Sequence, residues 1–421
     1  MTPNKLAVIG GGLTGLTTAI RAAQKGYNVD LYESAPTLGG RTRSFFHTPT
    51  QTWVDNGPHL LIGVYQQTLA LLTEVGASSF IQWQDTLTLP LWDMRRGHFA
   101  LTTSSKLPFS MALIDAVLRM PQHGLKSLPS LIRLAISMKF TQQGTVSDWM
   151  NRQRICSPLQ RDMIEVLCLG AMNEPMQSAD AASFCYVLNE AFSKHIHARL
   201  GWFTQPLSQA LIQPLEAYCQ QLGIRIHTSS RIVQLTKNTD DCTLYTRHKQ
   251  QVYDHIMMAT SASIRNQLLG IEQSIETQSI CNVHLWFKEK LQLEHPFIGG
   301  VDTYGQWFFD VSQQHHEHTG LSHLCVVISA DQSKLSKQEK IGRVLKELQA
   351  ITQQPTLKPI HHQMITVKDA THVVRSHATL TMPTCIMDAC EQPQSGELPA
   401  TIETAVLRGE EVARKLPNIN L

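Results

Sequence analysis

The pattern of apolar and polar positions is sharpest at the N-terminus. Leu6-Ala7-Val8-Ile9 is an uninterrupted apolar run, the mark of a strand covered on both faces in a parallel sheet. It runs into Gly10-Gly11-Gly12-Leu13-Thr14-Gly15, after which Leu16 to Lys25 has helical spacing and Gly26 supplies the stop. Asn28 to Tyr32 reads as a second strand. From Thr68 to about Leu200 apolar residues recur at helical spacing, opened by Leu69, Leu71 and Leu72 and punctuated by Pro121, Gly124 and Pro129, which predicts a helical insertion. The stretch from Gln205 predicts an amphipathic helix ending at Gly223, followed by strands at Ile224–His227 and Ile232–Leu235 and a buried strand at His255–Thr260.

The first strand, loop and helix carry chemistry. The loop matches GxGxxG: Gly10 makes the tight turn, Gly12 lets backbone approach a pyrophosphate, and Gly15 lets the helix pack closely on the strand. Leu13 and Thr14 complete the phosphate-facing loop, and the helix N-terminus behind them favours negative charge. Glu33 stands at the C-terminal edge of the second strand, 23 residues after Gly10, where a carboxylate can accept both ribose hydroxyls of an adenosine. Strand, glycines, helix, strand and acid in this order imply a bound dinucleotide.

Composition narrows the picture further. A chain of 421 residues exceeds a single core and suits more than one domain. Lys and Arg number 36 against 34 Asp and Glu, so no global field exists to hold nucleic acid, and no nucleic-acid partner is expected. The nine cysteines are scattered without a CxxC pair, which fits a reducing compartment and a cytoplasmic protein. The first twenty residues imitate a signal peptide, but the glycine triplet and the missing cleavage site argue against one. No window approaches the roughly 18 to 20 apolar residues of a membrane span, so any membrane contact is peripheral, on the inner face. Between Lys106 and Phe140, five basic residues face a single acid, Asp115, among Leu, Ile, Met and Phe. Two readings stay open there: a membrane interface, or a solvated helix pair on a core.

After Glu33 comes Leu38-Gly39-Gly40-Arg41-Thr42-Arg43-Ser44, and here the sequence resembles the FAD-binding amine oxidase and phytoene desaturase superfamily. The resemblance implies FAD as the cofactor, with Gly39, Gly40 and Arg41 at its phosphates and ribityl chain. It places Asp55-Asn56-Gly57-Pro58-His59 beneath the flavin ring and beside the substrate, and the backbone of Ile232 at the adenine. Further stretches are similar to one branch, the squalene-associated desaturases now described as hydroxysqualene dehydroxylases: Val166 to Asn173, Asn282 to Phe287, Gln306 to Asp310, Val327 to Ala330 and Leu398 to Glu403. The implied fold is α/β, a discontinuous Rossmann-type FAD-binding domain (1–67, 205–262 and 380–421) with a helical, substrate- and membrane-facing insertion (68–204) and a substrate-domain mixed sheet (263–379).

The implied last helix begins near Pro399, so that Pro399, Ala400 and Thr401 face the flavin. The chain departs from the family just before it: Ala389 stands where Gly is expected and Cys390 where a flavin-binding Asp is expected, with Asp388 or Glu391 as substitutes. The implied reaction is reduction of hydroxysqualene to squalene, with His59 or Asp55 as proton donor, an external electron donor, and an apolar tunnel around Trp286, Phe287, Trp307, Phe308 and Phe309 for the lipophilic isoprenoid. The alternatives are a phytoene-type desaturase or amine oxidase-like flavoenzyme, and an impaired flavoprotein-like subunit. His315-His316-x-His318 and His361-His362 lack acid or Cys partners at ligand spacing, so no metal is expected.

Overall fold

The computed structural model describes residues 4–237, 241–316, 319–375, 380, 382–390 and 392–417. Its nucleotide sheet has five parallel strands, in the order Arg225–His227, Asn28–Tyr32, Lys5–Ile9, His255–Met258, Ile386–Asp388. Lys5–Ile9 is central because Leu6, Ala7 and Val8 are fully buried and need covering on both faces. The strands pair in register, Ala7 opposite Asp30 on one side and Ile256 on the other. Helix Leu13–Gln24 starts at Leu13, three residues before the expected Leu16, because Gly12 already occupies the cap position. Helix Ile402–Arg414 packs on it through Gly409, where a Cβ would fall 2.8 Å from the Thr14 carbonyl.

The helix expected from Gln205 forms in two parts, a wide π-turn at Ser208–Ile212 and then Gln213–Gln221. Pro214 accounts for the break, because it lacks an N–H and its ring crowds the carbonyl four residues back. Helices at Phe109–Arg119, Leu128–Ser137, Val146–Arg152 and Ala181–Ala191 fall in the insertion.

The helical reading of residues 68–204 is corrected at Thr88–Asp93 and Gly97–Thr102. These form an antiparallel hairpin at the edge of a seven-stranded mixed sheet whose other members are Phe297–Val301, Trp307–Asp310, Ser322–Ser329, Thr277–Phe287 and His361–His372. Thr88-Leu-Pro-Leu-Trp-Asp is buried continuously from Leu89 to Asp93 rather than alternating, and its pairing partner Phe297–Val301, some 200 residues away, leaves no local trace. The cysteine reading is also corrected. Cys242 and Cys385, 143 residues apart, form a disulfide that ties strand Cys242–Thr246 to the segment entering Ile386–Asp388.

Candidate active site

The three motif glycines of the first loop sit in different steric surroundings. A Cβ at Gly10 would lie 2.4 Å from the Ala259 carbonyl oxygen, and one at Gly15 would lie 1.8 Å from the Gly10 carbonyl oxygen. A Cβ at Gly12 would meet nothing within 4 Å. Gly10 and Gly15 are therefore demanded by packing, whereas Gly12 borders open space. Gly40 approaches it from the other side, its Cβ position 3.4 Å from the Gly12 Cα, and the Gly39 N–H donates to the Gly11 carbonyl at 2.8 Å. Helix Leu13–Gln24 has no acid in its first turn and no side-chain cap, so its leading N–H groups are left for a ligand. This cradle fits the diphosphate of a dinucleotide.

Glu33 closes one end. Its Oε2 accepts from the Gly11 N–H at 2.8 Å and its Oε1 from the Ala35 N–H at 2.7 Å, which fixes the carboxylate at the lip of the cavity. The cavity has a volume of about 920 Å³. Gly10, Gly12, Leu13, Thr14, Glu33, Gly39, Gly40, Arg41, Gly57, Pro58, His59, Ile232, Pro399, Ala400 and Thr401 all line it, while Gly15 lies beneath, in the helix–strand contact. Arg41 also reaches the seven-stranded sheet, its guanidinium donating to the Ala370 carbonyl at 2.6 Å.

The expected proton donors separate. Asp55 is not on the cavity wall: its Oδ1 accepts from the Ser44 hydroxyl at 2.6 Å and the Leu207 N–H at 3.0 Å, and His315 Nε2 stands 3.7 Å from its Oδ2. Its placement makes it a stitch between the Ser44–Asp55 hairpin and the turn before Ser208, which corrects the reading of Asp55 as an acid for the substrate. His59 does face the cavity. Burial, with the Arg41 charge adding to it, pushes its imidazole down to about 4, so the ring is neutral at pH 7 and offers one N–H and one lone pair rather than an acidic proton.

The aromatic expectation divides by strand periodicity. Trp307 and Phe309, two residues apart, point to the cavity, and Phe308 points into the core behind the sheet with Phe287. Trp286 is fully buried elsewhere, stacked between His47 and His323 with its indole N–H on the Thr52 hydroxyl. His361 lies beside His47, and among the described residues no group of three His, Cys, Asp or Glu is placed to hold a metal. His318 lies outside the described residues.

At the C-terminal segment, Ala389 lines the cavity and its N–H donates to the Met258 carbonyl at 2.8 Å. Cys390 points the other way, its thiol on the same carbonyl at 3.4 Å. Asp388 is paired with the buried Arg265 and accepts from the Cys390 N–H, so it is no substitute ligand facing the cavity. Glu391 lies outside the described residues. The last helix starts at Ile402 with Thr401 as its cap, so Pro399 precedes the first turn rather than entering it. Two further residues stand on the cavity wall. Tyr65, pushed up to about 12 by burial, hydrogen-bonds Thr401, and no local pattern marks it. Asn282 follows Thr277, Gln278 and Ser279 in a strand whose start mixes polar and apolar residues, so composition alone does not single it out.

The model of the family described as flavin containing amine oxidoreductase matches residues 13–384. A hydroxysqualene dehydroxylase of Zymomonas mobilis is 24% identical over 420 residues, covering 96% of this chain and 97% of that one. A 15-cis-phytoene desaturase of Glycine max is 24% identical over 69% of this chain, which spans 55% of its length. Among solved structures, an oxidoreductase from Methanosarcina mazei superposes with a TM-score of 0.75 at 16% identity, covering 98% of this chain and all of that one. A putative protoporphyrinogen oxidase from Exiguobacterium gives 0.71, also at 16% identity, over 98% of both. The chain belongs to the flavin containing amine oxidoreductase family and is an FAD-dependent oxidoreductase.

Proposed function

We propose that this protein reduces an allylic isoprenoid alcohol, hydroxysqualene, to squalene with loss of water. The observation that carries the reading is the end-to-end similarity to a hydroxysqualene dehydroxylase, 96% of one chain on 97% of the other. The cavity agrees with a long hydrocarbon: beyond the glycine loops its wall includes Leu167, Leu169, Val187, Trp307, Phe309 and Val327. On this reading Gly10, Gly12, Leu13, Thr14, Gly39, Gly40 and Arg41 hold the diphosphate end of FAD, Glu33 its ribose, Ile232 its adenine, and Gly57, Pro58 and Pro399 to Thr401 its ring. Bound and reduced, FAD supplies a hydride for the carbon that loses its hydroxyl. The apolar wall keeps water from the cationic carbon, and the neutral His59 ring steadies the departing oxygen through its N–H. The electrons come from an external donor.

The test is anaerobic. Protein carrying dithionite-reduced flavin, freed of excess reductant, is mixed with hydroxysqualene or with phytoene in detergent. Flavin reoxidation by hydroxysqualene with matching squalene formation is expected. A flavin that hydroxysqualene leaves reduced, together with bleaching of the oxidised flavin by phytoene, would establish the desaturase direction instead.

The same reading favours a peripheral membrane position. Among the described residues no helix is long and apolar enough to span a membrane. Leu125, Ile132, Ile136 and Phe140 are exposed, Leu125 at 78% and Phe140 at 66%, with Ile132 and Ile136 forming a stripe on helix Leu128–Ser137 and Phe140 just past its end. Met111 on the preceding helix is exposed as well. Lys126 and Lys139 flank the stripe and suit an anionic surface.

A further inference from the structure

Strand Thr277–Phe287 of the seven-stranded sheet forms part of the cavity wall through Ile280 and Asn282. On the neighbouring strand Val327 stands opposite Asn282 and Ser329 opposite Ile280, and both also line the cavity. The Asn282 side chain is thus set beside apolar groups, and the residue is only 2% exposed. Its Nδ2 donates to the Asn56 carbonyl at 2.7 Å, and that acceptor fixes which end of the amide is nitrogen. The other end, Oδ1, is buried and has no hydrogen-bond partner among the described residues. Gly57 makes the approach possible, because a Cβ there would stand 2.9 Å from Nδ2 and 3.1 Å from Oδ1. Clamping the Asn56–Gly57 turn uses only the nitrogen. It leaves the buried acceptor unexplained, and folds rarely keep such an acceptor unless something supplies the donor.

We propose that Asn282 positions the substrate hydroxyl, its Oδ1 accepting a hydrogen bond from the single O–H donor of an otherwise apolar isoprenoid alcohol. The proposal rests on the dehydroxylase reading above. In that reaction the C–O bond breaks with its electron pair going to oxygen, the oxygen takes a proton and leaves as water, and the carbon takes a hydride. Alcohol, two electrons and two protons give hydrocarbon and water, the electrons and one proton arriving as hydride from reduced FAD. A carboxamide that accepts from the O–H leaves the oxygen lone pairs free to take the proton. It also distinguishes alcohol from hydrocarbon, because only the alcohol satisfies Oδ1.

The experiment measures binding, without turnover, to the full-length oxidised FAD-bound protein. Hydroxysqualene and squalene are titrated separately in detergent micelles and read by the shift of the flavin absorbance. Wild-type protein is expected to bind the alcohol at least tenfold more tightly than the hydrocarbon. Asn282→Leu, similar in volume, is expected to lose that preference while keeping its FAD and its squalene affinity, and Asn282→Ala carries the same comparison if Leu is not accommodated. Retention of the preference within threefold in either variant overturns the assignment. So does loss of FAD, or equal weakening of both lipids, in both variants, since either marks Asn282 as a clamp on Asn56 alone. A wild-type protein without any preference overturns the dehydroxylase reading itself, and the Asn282 proposal with it.

Discussion

The carboxylate of Glu403 accepts from the Thr68 hydroxyl at 2.6 Å and from the Thr68 N–H at 2.8 Å, joining residues 335 positions apart. It also accepts from the Gln67 N–H at 2.9 Å. The acid in the first turn of the last helix thereby caps the helix Gln66–Glu74, whose own cap position holds Tyr65 and provides no side-chain acceptor. Glu403→Ala strands three donors and should cost about 3 kcal/mol of stability, with Glu403→Gln costing roughly half as much. Urea unfolding of the two variants beside wild type checks this, and an unchanged midpoint for the Ala variant would show that water replaces the cap.

Gly12 and Gly15 should fail in different ways. Gly12→Val projects into open space, so the apoprotein should unfold within about 1 kcal/mol of wild type while losing FAD. Gly15→Ala drives a methyl into the Gly10 carbonyl and should destabilise the apoprotein by about 3 kcal/mol or more. Flavin-to-protein absorbance ratios and denaturation midpoints separate the two effects. A Gly12→Val protein with normal flavin would remove the phosphate from this loop.

Restoring the family residues at 389 and 390 should have opposite consequences. Ala389→Gly clears a methyl from the cavity wall and should tighten FAD binding several-fold. Cys390→Asp places a carboxylate against the Met258 carbonyl in a position only 8% exposed, and should lower stability by about 2 kcal/mol or more without gaining a flavin contact. Flavin titration of the apoproteins measures the first, and thermal unfolding the second. Tighter binding by Cys390→Asp would mean that the segment turns over when FAD is present.

Two buried groups should show opposite pH dependence in the same window. Burial, with the His47 charge adding to it, pushes His323 from an ordinary 6.5 down to about 3. The unfolded chain then binds the extra proton first, so this contribution is complete above pH 6.5 and is lost progressively as pH falls below it. Burial pushes the Glu174 carboxyl up from 4.5 to about 7, so the native state holds the proton longer and stability is lost as pH rises from 4.5 to 7. From pH 7 to pH 5, wild type should therefore lose stability relative to His323→Gln and gain it relative to Glu174→Gln. Chemical denaturation at the two pH values gives both differences, and parallel behaviour of all three proteins would place both groups in contact with solvent.

The exposed stripe on the insertion should govern binding to anionic vesicles. Leu125→Ser with Phe140→Ser should reduce co-sedimentation, and Lys126→Glu with Lys139→Glu should reduce it only when anionic lipid is present, at about 1 kcal/mol for each charge. Arg119 and Arg133 are poor probes, because Arg119 is paired with Asp115 and Arg133 donates to the Gln153 and Arg154 carbonyls. Sedimentation indifferent to both double variants would leave these helices as an ordinary solvated surface.

The sequence by itself determined the nucleotide end, because its signals are local. An apolar run, three glycines, a helix and an acid lie within Leu6 to Glu33, and two of these signals meet their physical demand from near neighbours, Gly15 against Gly10 and Glu33 against Gly11, while Gly10 is held against the distant Ala259. The tertiary structure decided whatever depends on pairing across long stretches of chain. Thr88–Asp93 joins a sheet through Phe297–Val301, Cys242 meets Cys385, and Glu403 caps a helix at Thr68. The direction of a side chain was decided there too. A segment such as Asp55 to His59 names its residues without showing which faces outward, and only packing turned Asp55 toward Ser44 and Leu207 and left His59 on the cavity wall. The same holds for Cys390, whose motif position suggested the flavin and whose thiol is held by the Met258 carbonyl, since burial and hydrogen bonding act through space rather than along the chain.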